Sequence, residues 1–482
     1  MRKSNFLLTA GVIGLLLAGC GRFPGNGPIS GSGAITAPVS LTMTDTPPSG
    51  VTVISLRLSV TGAVLQPGNI SLLTSSSSIP VDLAQLQTRS VLLGSVNVAT
   101  GPYSSLTLIF ANPTLTILNN SGGSIGSCAN GSVCESNPSL NQVTVPFTGA
   151  PFPITLTQNT PVGFQADINL NNVLQPDLSL DLSAANGVTL TQLPAVSLNA
   201  ELTRIDNITG VVQSKGTNQF TLKNNDGTIF IINTDSVTQF DFSAINCIAN
   251  DLTCVTTGQI LAVDASLLGS GALFANQVTF EAASGQQLVD GIITGISTSG
   301  NVTAIQLVVL GEEPSIPNIL AGDIASVTLQ NNTAFSIDSS NFTIPGGFSF
   351  QRTFDLAVGQ EVQVHVAGTV TTTPSLAFPT DRVALEPSEV SATVVLVNLG
   401  AANFTVNNLP VLFTSGVLSP TAQILVQTTS QTEFVDLTTS GLAGLASGNS
   451  VSVGGWVFST PSGTTTLTMV AKRVRGRPIS GP

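Results

Sequence analysis

The sequence predicts an all-β chain, with an N-terminal β-sandwich followed by three small barrel-like repeats. Three observations carry this expectation. Val, Thr, Ile and Phe are interleaved with 46 Gly and 27 Pro, a mixture that suits pleated strands and tight turns and not helices. Apolar residues alternate with period two in many short runs. Beyond residue 200, one ordered set of landmarks recurs three times.

The sandwich is read from residues 38–200. Alternation is plain at Leu106, Leu108 and Phe110, at Val143, Val145 and Phe147, and at Phe164, Ala166, Ile168 and Leu170. Leu178, Leu180 and Leu182 predict a further strand, which would place Asp177 and Asp181 on its polar face. Leu83 and Leu86 suit one short helical turn. Many short strands at regular spacing suggest two packed sheets.

The repeats open at "GVVQSKGTNQFTL" (Gly210), "GIITGISTSGNVTAIQL" (Gly291) and "ATVVLVNLGAANFTV" (Ala392). Each continues to a Thr-x-Phe: Thr238 to Phe240, Thr333 to Phe335, Thr432 to Phe434. A Gly-polar turn then enters a strand, at Gly258-Gln259, Gly359-Gln360 and Gly448-Asn449. Units of about six short strands can close as small barrels, which removes exposed sheet edges.

The first segment resembles a bacterial lipoprotein family, the domain of unknown function 4382, over residues 38–198. The resemblance rests on "LTMTDTPPSGVTVISLRLSVTGAVL" (Leu41 onward), "VDLAQLQTRSVLLGSVNVATGPYSSLTL" (Val81 onward) and "GFQADINLNNVL" (Gly163 onward). That family has no agreed activity. The repeats resemble the domain of unknown function 5666, which implies barrels like those that bind oligonucleotides or oligosaccharides (OB-like). The third repeat departs most, with Ala392 for the opening Gly and Asn449 for Gln.

The N-terminus predicts export. Arg2 and Lys3 precede an apolar run from Phe6 to Gly19, shorter than the ~20 residues that span a bilayer and shaped like a signal peptide. Leu17-Ala18-Gly19-Cys20 resembles the lipobox of bacterial lipoproteins. That resemblance implies cleavage before Cys20 and a lipid on its thiol, so the chain is expected to be membrane-anchored, not membrane-spanning. Gly21, and not Asp, follows the cysteine, which favours the outer membrane of the cell envelope. Residues 21–37 read as a flexible tether.

The expected organisation is a signal peptide at 1–19, the lipidated Cys20 and tether at 20–37, and a sandwich at 38–200. Repeats follow at 201–286, 287–388 and 389–475, then a tail at 476–482.

Charged residues are 8% of the chain, against ~25% in an average domain. The net charge of −12 argues against nucleic acid, whose phosphates need clustered Lys and Arg. Besides Cys20, Cys128 and Cys134 form one close pair and Cys247 and Cys254 another. In an oxidising compartment these predict two local disulfides. The rival, a four-Cys metal site, needs both pairs to meet in space, with spacings longer than usual for zinc.

Little points to catalysis. The single histidine, His365, alternates with Val364 and Val366 on the polar face of a strand, and no nucleophile motif accompanies it. Carboxylate pairs could serve glycoside hydrolysis, but Glu312-Glu313 and Asp177/Asp181 have no supporting context. "DINLNN" (Asp167 onward) begins like a calcium loop but has Asn172 where Gly is needed and Leu178 where Glu is needed. No metal and no cofactor are therefore expected. Sugar platforms favour Trp and Tyr, and this chain has one of each, Trp456 and Tyr103. Trp456, in "GGWVF", is the candidate ligand contact. Lys472, Arg473, Arg475 and Arg477 read as a solvated last strand and frayed tail.

The expected function is a non-catalytic binding or structural role at the cell envelope. Its partners would be membrane lipid through Cys20 and an envelope polysaccharide or protein. A polysaccharide-binding module is the alternative, and an envelope hydrolase the third reading.

Overall fold

Period-two alternation becomes strands throughout. The computed structural model describes residues 35–46, 52–74, 78–194, 196–300, 302–414, 422–437, 439, 441–459 and 467–477. The expected signal peptide, Cys20, the tether up to residue 34 and tail residues 478–482 lie outside the described residues.

The N-terminal segment has two main sheets. One runs in the order Val188–Leu193, Val162–Asn169, Thr36–Thr46, Val91–Ala99. The other is built on the long pair Thr52–Gln66 and Ser105–Leu118. Leu41 and Phe164 from the first sheet meet Leu58 and Phe110 from the second in one core. Each such fully buried side chain contributes about 1.5–3 kcal/mol relative to exposure. Leu83–Gln85 forms the expected helical turn, capped by the Asp82 carboxylate, which accepts from the Ala84 N–H. The strand expected at 178–182 does not form. Asp177 and Asp181 instead accept hydrogen bonds from the N–H and hydroxyl of Ser179 and Ser183. These local Asx turns compete with a strand ladder, and Leu180 keeps only isolated bridges to Leu140 and Leu174.

The remaining chain forms three barrels of one connectivity. The first ring uses Glu201–Lys215, Gln219–Lys223, Ile229–Asn233, Ile260–Leu268 and Leu273–Ala282. The second uses Leu288–Ser299, Val302–Glu313, Ile324–Ile337, Glu361–His365 and Ala377–Glu386. The third uses Ser388–Asn398, Asn403–Asn407, Ile424–Gln427, Ser450–Ser459 and Leu467–Gly476. Around each ring the order is first, second, third, fifth, fourth, and the third and fifth strands run parallel. This is a closed five-stranded barrel of the OB-like kind.

The repeated landmarks have geometric duties. Thr238, Thr333 and Thr432 each donate a hydroxyl hydrogen bond to a carbonyl of their own barrel's fifth strand, at Ala275, Thr380 and Ala471. Gly258, Gly359 and Gly448 hold φ of +89°, +93° and +89°, a left-handed conformation that favours glycine. The next side chain accepts the backbone N–H three residues upstream. Gln259, Gln360 and Asn449 do so at 2.7, 2.6 and 2.7 Å. Asn449 therefore replaces Gln without losing the bond.

The modules are joined by buried charge. Residues Thr36–Pro482 form one compact unit. At its centre lies Arg473, on the last strand and only 8% exposed. Its guanidinium pairs with Asp206 of the first barrel and, at 2.7 Å, with Glu433 of the third. It also donates to the Thr88 carbonyl of the sandwich at 3.1 Å. Lys472 Nζ lies 2.8 Å from an Asp264 carboxylate oxygen in the first barrel. Arg475 donates to Thr44 Oγ1 at 2.7 Å, and Arg477 to Thr46 Oγ1 at 3.3 Å. The solvated last strand expected from the sequence is thus corrected: its basic residues lie at module joints, where acidic and hydroxyl groups from other modules neutralise or solvate them. The strand Thr36–Thr46 is buried along its length.

Removing one partner of a buried ion network leaves the others unpaired, at about 3–5 kcal/mol. Arg473→Ala is expected to lower urea-unfolding stability by about that amount. Arg352→Ala, which breaks an exposed pair with Asp355, should cost less than about 1 kcal/mol.

Candidate functional site

Where the sandwich meets the first and second barrels, the strand ends enclose a cavity of about 290 Å³. Asp82 and Arg89 reach it from the sandwich, Asp206 and Asn224 from the first barrel, and Asp290, Glu312, Glu313 and Glu361 from the second. Strand pairing brings the last four together. Leu288 faces Glu313, Val289 faces Glu312 and Ile292 faces Glu361 across the ladder. Glu312, Glu313 and Glu361 are 7%, 5% and 5% exposed.

The lining is one-sided electrostatically. Burial raises the Glu313 carboxyl to about 8, helped by Asp290 and Glu312. Burial raises Glu361 to about 8 against the opposing pull of Arg89. Glu312 rises to about 7 and Asp290 to about 6, again chiefly by burial. Three of the lining residues each carry a buried acceptor oxygen without a hydrogen-bond partner, Gln85 Oε1, Asn224 Oδ1 and Glu361 Oε2, shielded from the water-accessible space itself. A buried acceptor without a donor is costly.

A second, tighter space of about 50 Å³ adjoins Arg89, Asp206, Asp264, Lys472 and Arg473. There the charges pair with one another, so it reads as the joint itself. Beside it, Glu281, Asp338 and Glu386 bring carboxylate oxygens within 4.8 Å of one another.

The residues singled out from sequence are placed as follows. Cys128 and Cys134 are disulfide-bonded with Cα atoms 5.8 Å apart, and Cys247 and Cys254 with Cα atoms 6.0 Å apart. One bond staples the sandwich and the other the first barrel. Trp456, expected as a ligand contact, is corrected: it is 1% exposed, with its ring 4.9 Å from that of Phe342. Its indole N–H donates to the Asp338 carbonyl at 2.8 Å, so it packs the third barrel against the second. Tyr103 is buried too, and its hydroxyl donates to the Ala99 carbonyl. His365 Nδ1 lies 2.7 Å from an Asp381 carboxylate oxygen, away from the cavity.

Residues 36–191 match the family described as Domain of unknown function (DUF4382). The match covers the sandwich and none of the three barrels. No curated protein matches the chain.

Glu361 and Asp290 were not singled out by sequence reasoning, and Glu312-Glu313 was set aside. The available signal was an acidic pair ending the strongly apolar run "AIQLVVLG", where solvated charge is unusual.

These carboxyls bind protons more tightly in the folded chain than at their ordinary value of 4.5. Their stabilising effect is full below pH ~4.5 and is lost as pH rises through about 7–8. The free energy of urea unfolding should therefore fall between about pH 5 and pH 8, by up to about 1.4 kcal/mol per pH unit for each group. Asp264, whose carboxyl is lowered, acts below this window. Glu361→Gln should flatten the slope, and an unchanged slope would show that Glu361 titrates normally.

Proposed function

We propose that the protein is a lipid-anchored cell-envelope protein with a non-catalytic binding role, taking a small cationic ligand into the acidic junction cavity. The observation that carries the binding reading is the convergence of Asp82, Asp206, Asp290, Glu312, Glu313 and Glu361 on one cavity whose lining holds a single cationic residue, Arg89. Glu312, Glu313 and Glu361 hold their protons up to about pH 7–8, and a cationic ligand would compensate them as they ionise.

The anchoring reading is supported by the lipobox-like Leu17-Ala18-Gly19-Cys20 and the tether after it. Acyl chains hold at about 0.8 kcal/mol per buried CH₂. The burial of Trp456 removes the aromatic face on which a polysaccharide-binding reading depended. A hydrolase reading draws on the same raised carboxyls, since a general acid must hold its proton near neutral pH.

Cys20→Ala is expected to move the protein from the membrane to the soluble fraction, or to leave it unprocessed. Intact mass of the extracted wild type should fit residues 20–482 plus lipid, with four thiols appearing only on reduction. Spermidine serves as the cationic probe. It should raise the melting temperature of the wild type and leave that of Glu361→Gln unmoved. Hydrolysis of an envelope glycan preparation that disappears in Glu313→Gln would establish the enzyme reading instead.

A further inference from the structure

We infer that Glu281, Asp338 and Glu386 form a site for a hard divalent cation, calcium foremost, at the seam between the first and second barrels. The sequence predicts no metal, because these residues are far apart in the chain and belong to no motif. The fold brings them together. Glu281 sits near the end of the first barrel's last strand, Asp338 directly follows the strand Ile324–Ile337, and Glu386 ends the strand Ala377–Glu386. One carboxylate oxygen from each lies within 4.8 Å of the other two. Oxygens bound to one calcium at 2.3–2.6 Å are at most about 5 Å apart, so all three can reach a common ion.

A second observation points to a ligand. Glu281 is only 6% exposed, and its Oε1 has neither solvent nor a hydrogen-bond partner. Glu386 Oε1 is likewise buried and partnerless. Among the described residues, none of the three carboxylates forms an ion pair with Lys, Arg or His. The nearest cations are committed elsewhere. Arg382 donates to the main-chain oxygen of Glu281, and Lys472 is bonded to Asp264. Burial, and then repulsion from neighbouring carboxylates, pushes Glu281 and Glu386 well above their ordinary range, and burial raises Asp338. Three like charges at this spacing, one buried and two half-buried, need protons or a metal.

All the ligand atoms are oxygens of carboxylates, which suit calcium or magnesium over softer ions. Calcium is favoured because its coordination is the more permissive. The site is also positioned from outside. The Ser340 N–H and hydroxyl donate to the Asp338 carboxylate, and Trp456 of the third barrel holds the Asp338 carbonyl. An ion here would tie the first two barrels directly and the third through Trp456.

The test uses the full purified chain, stripped with EDTA and titrated with calcium chloride by calorimetry, with terbium luminescence as a second readout. One ion per chain is expected, together with a rise in melting temperature. Glu281→Gln and Glu386→Gln should each weaken binding at least tenfold, while circular dichroism in EDTA matches the stripped wild type. Glu361→Gln, in the neighbouring cavity, should bind calcium as the wild type does. Absence of calcium binding by the wild type overturns the inference. So does unchanged affinity in both seam variants, or loss of binding in Glu361→Gln alone, which would place the ion in the cavity.

Discussion

Arg473 is the contact on which the arrangement of the modules depends. A guanidinium buried to this degree must be matched on all sides, and its partners come from three modules: Asp206, Glu433 and the Thr88 carbonyl. Arginine suits the position because its planar fork satisfies several acceptors in fixed directions. Lys472, Arg475 and Arg477 extend the same strand's charges to Asp264, Thr44 and Thr46. One β-strand from the end of the chain thus sets the seating of the first barrel and of the sandwich. It also covers the hydroxyls of Thr44 and Thr46 on the strand Thr36–Thr46.

The joints differ in charge balance, and that difference separates glue from site. Around Arg473 and Lys472 the cations pair directly with Asp206, Glu433 and Asp264, and little space remains. At the neighbouring cavity and seam, carboxylates outnumber cations, acceptor oxygens lack donors, and burial holds protons on groups that would otherwise ionise. A fold held only by apolar contact would not keep so many acids out of water without compensation. Their cost is tolerable because strand pairing fixes Glu312, Glu313 and Glu361 in place whatever their protonation state.

Much of the fold was legible in the chain because its signals are local. Alternation marked the strands, and Thr-x-Phe and Gly-polar landmarks marked three equivalent barrels. Each landmark turns out to serve a bond within its own barrel, such as Thr432 to Ala471 or Asn449 to the Ala446 N–H. The close cysteine pairs were legible for the same reason. The strand expected at Leu178–Leu182 failed because Asp177 and Asp181 bond to Ser179 and Ser183, a short-range competition that apolar alternation does not register. Trp456 was misread because a lone aromatic on a strand looks alike whether it meets solvent or the next barrel.

The sequence by itself determined the all-β class, the repeated barrels and the local disulfides. All of these follow from composition and from contacts between residues near in the chain. Only the tertiary structure decided which charges are buried, what Trp456 touches and where the acids converge. Glu281 meets the Asp338 and Glu386 of the next barrel, and Asp82 meets Glu361, because separate modules pack together. No spacing within one strand or turn encodes a meeting between modules, so the electrostatics of the joints exist only in the assembled chain.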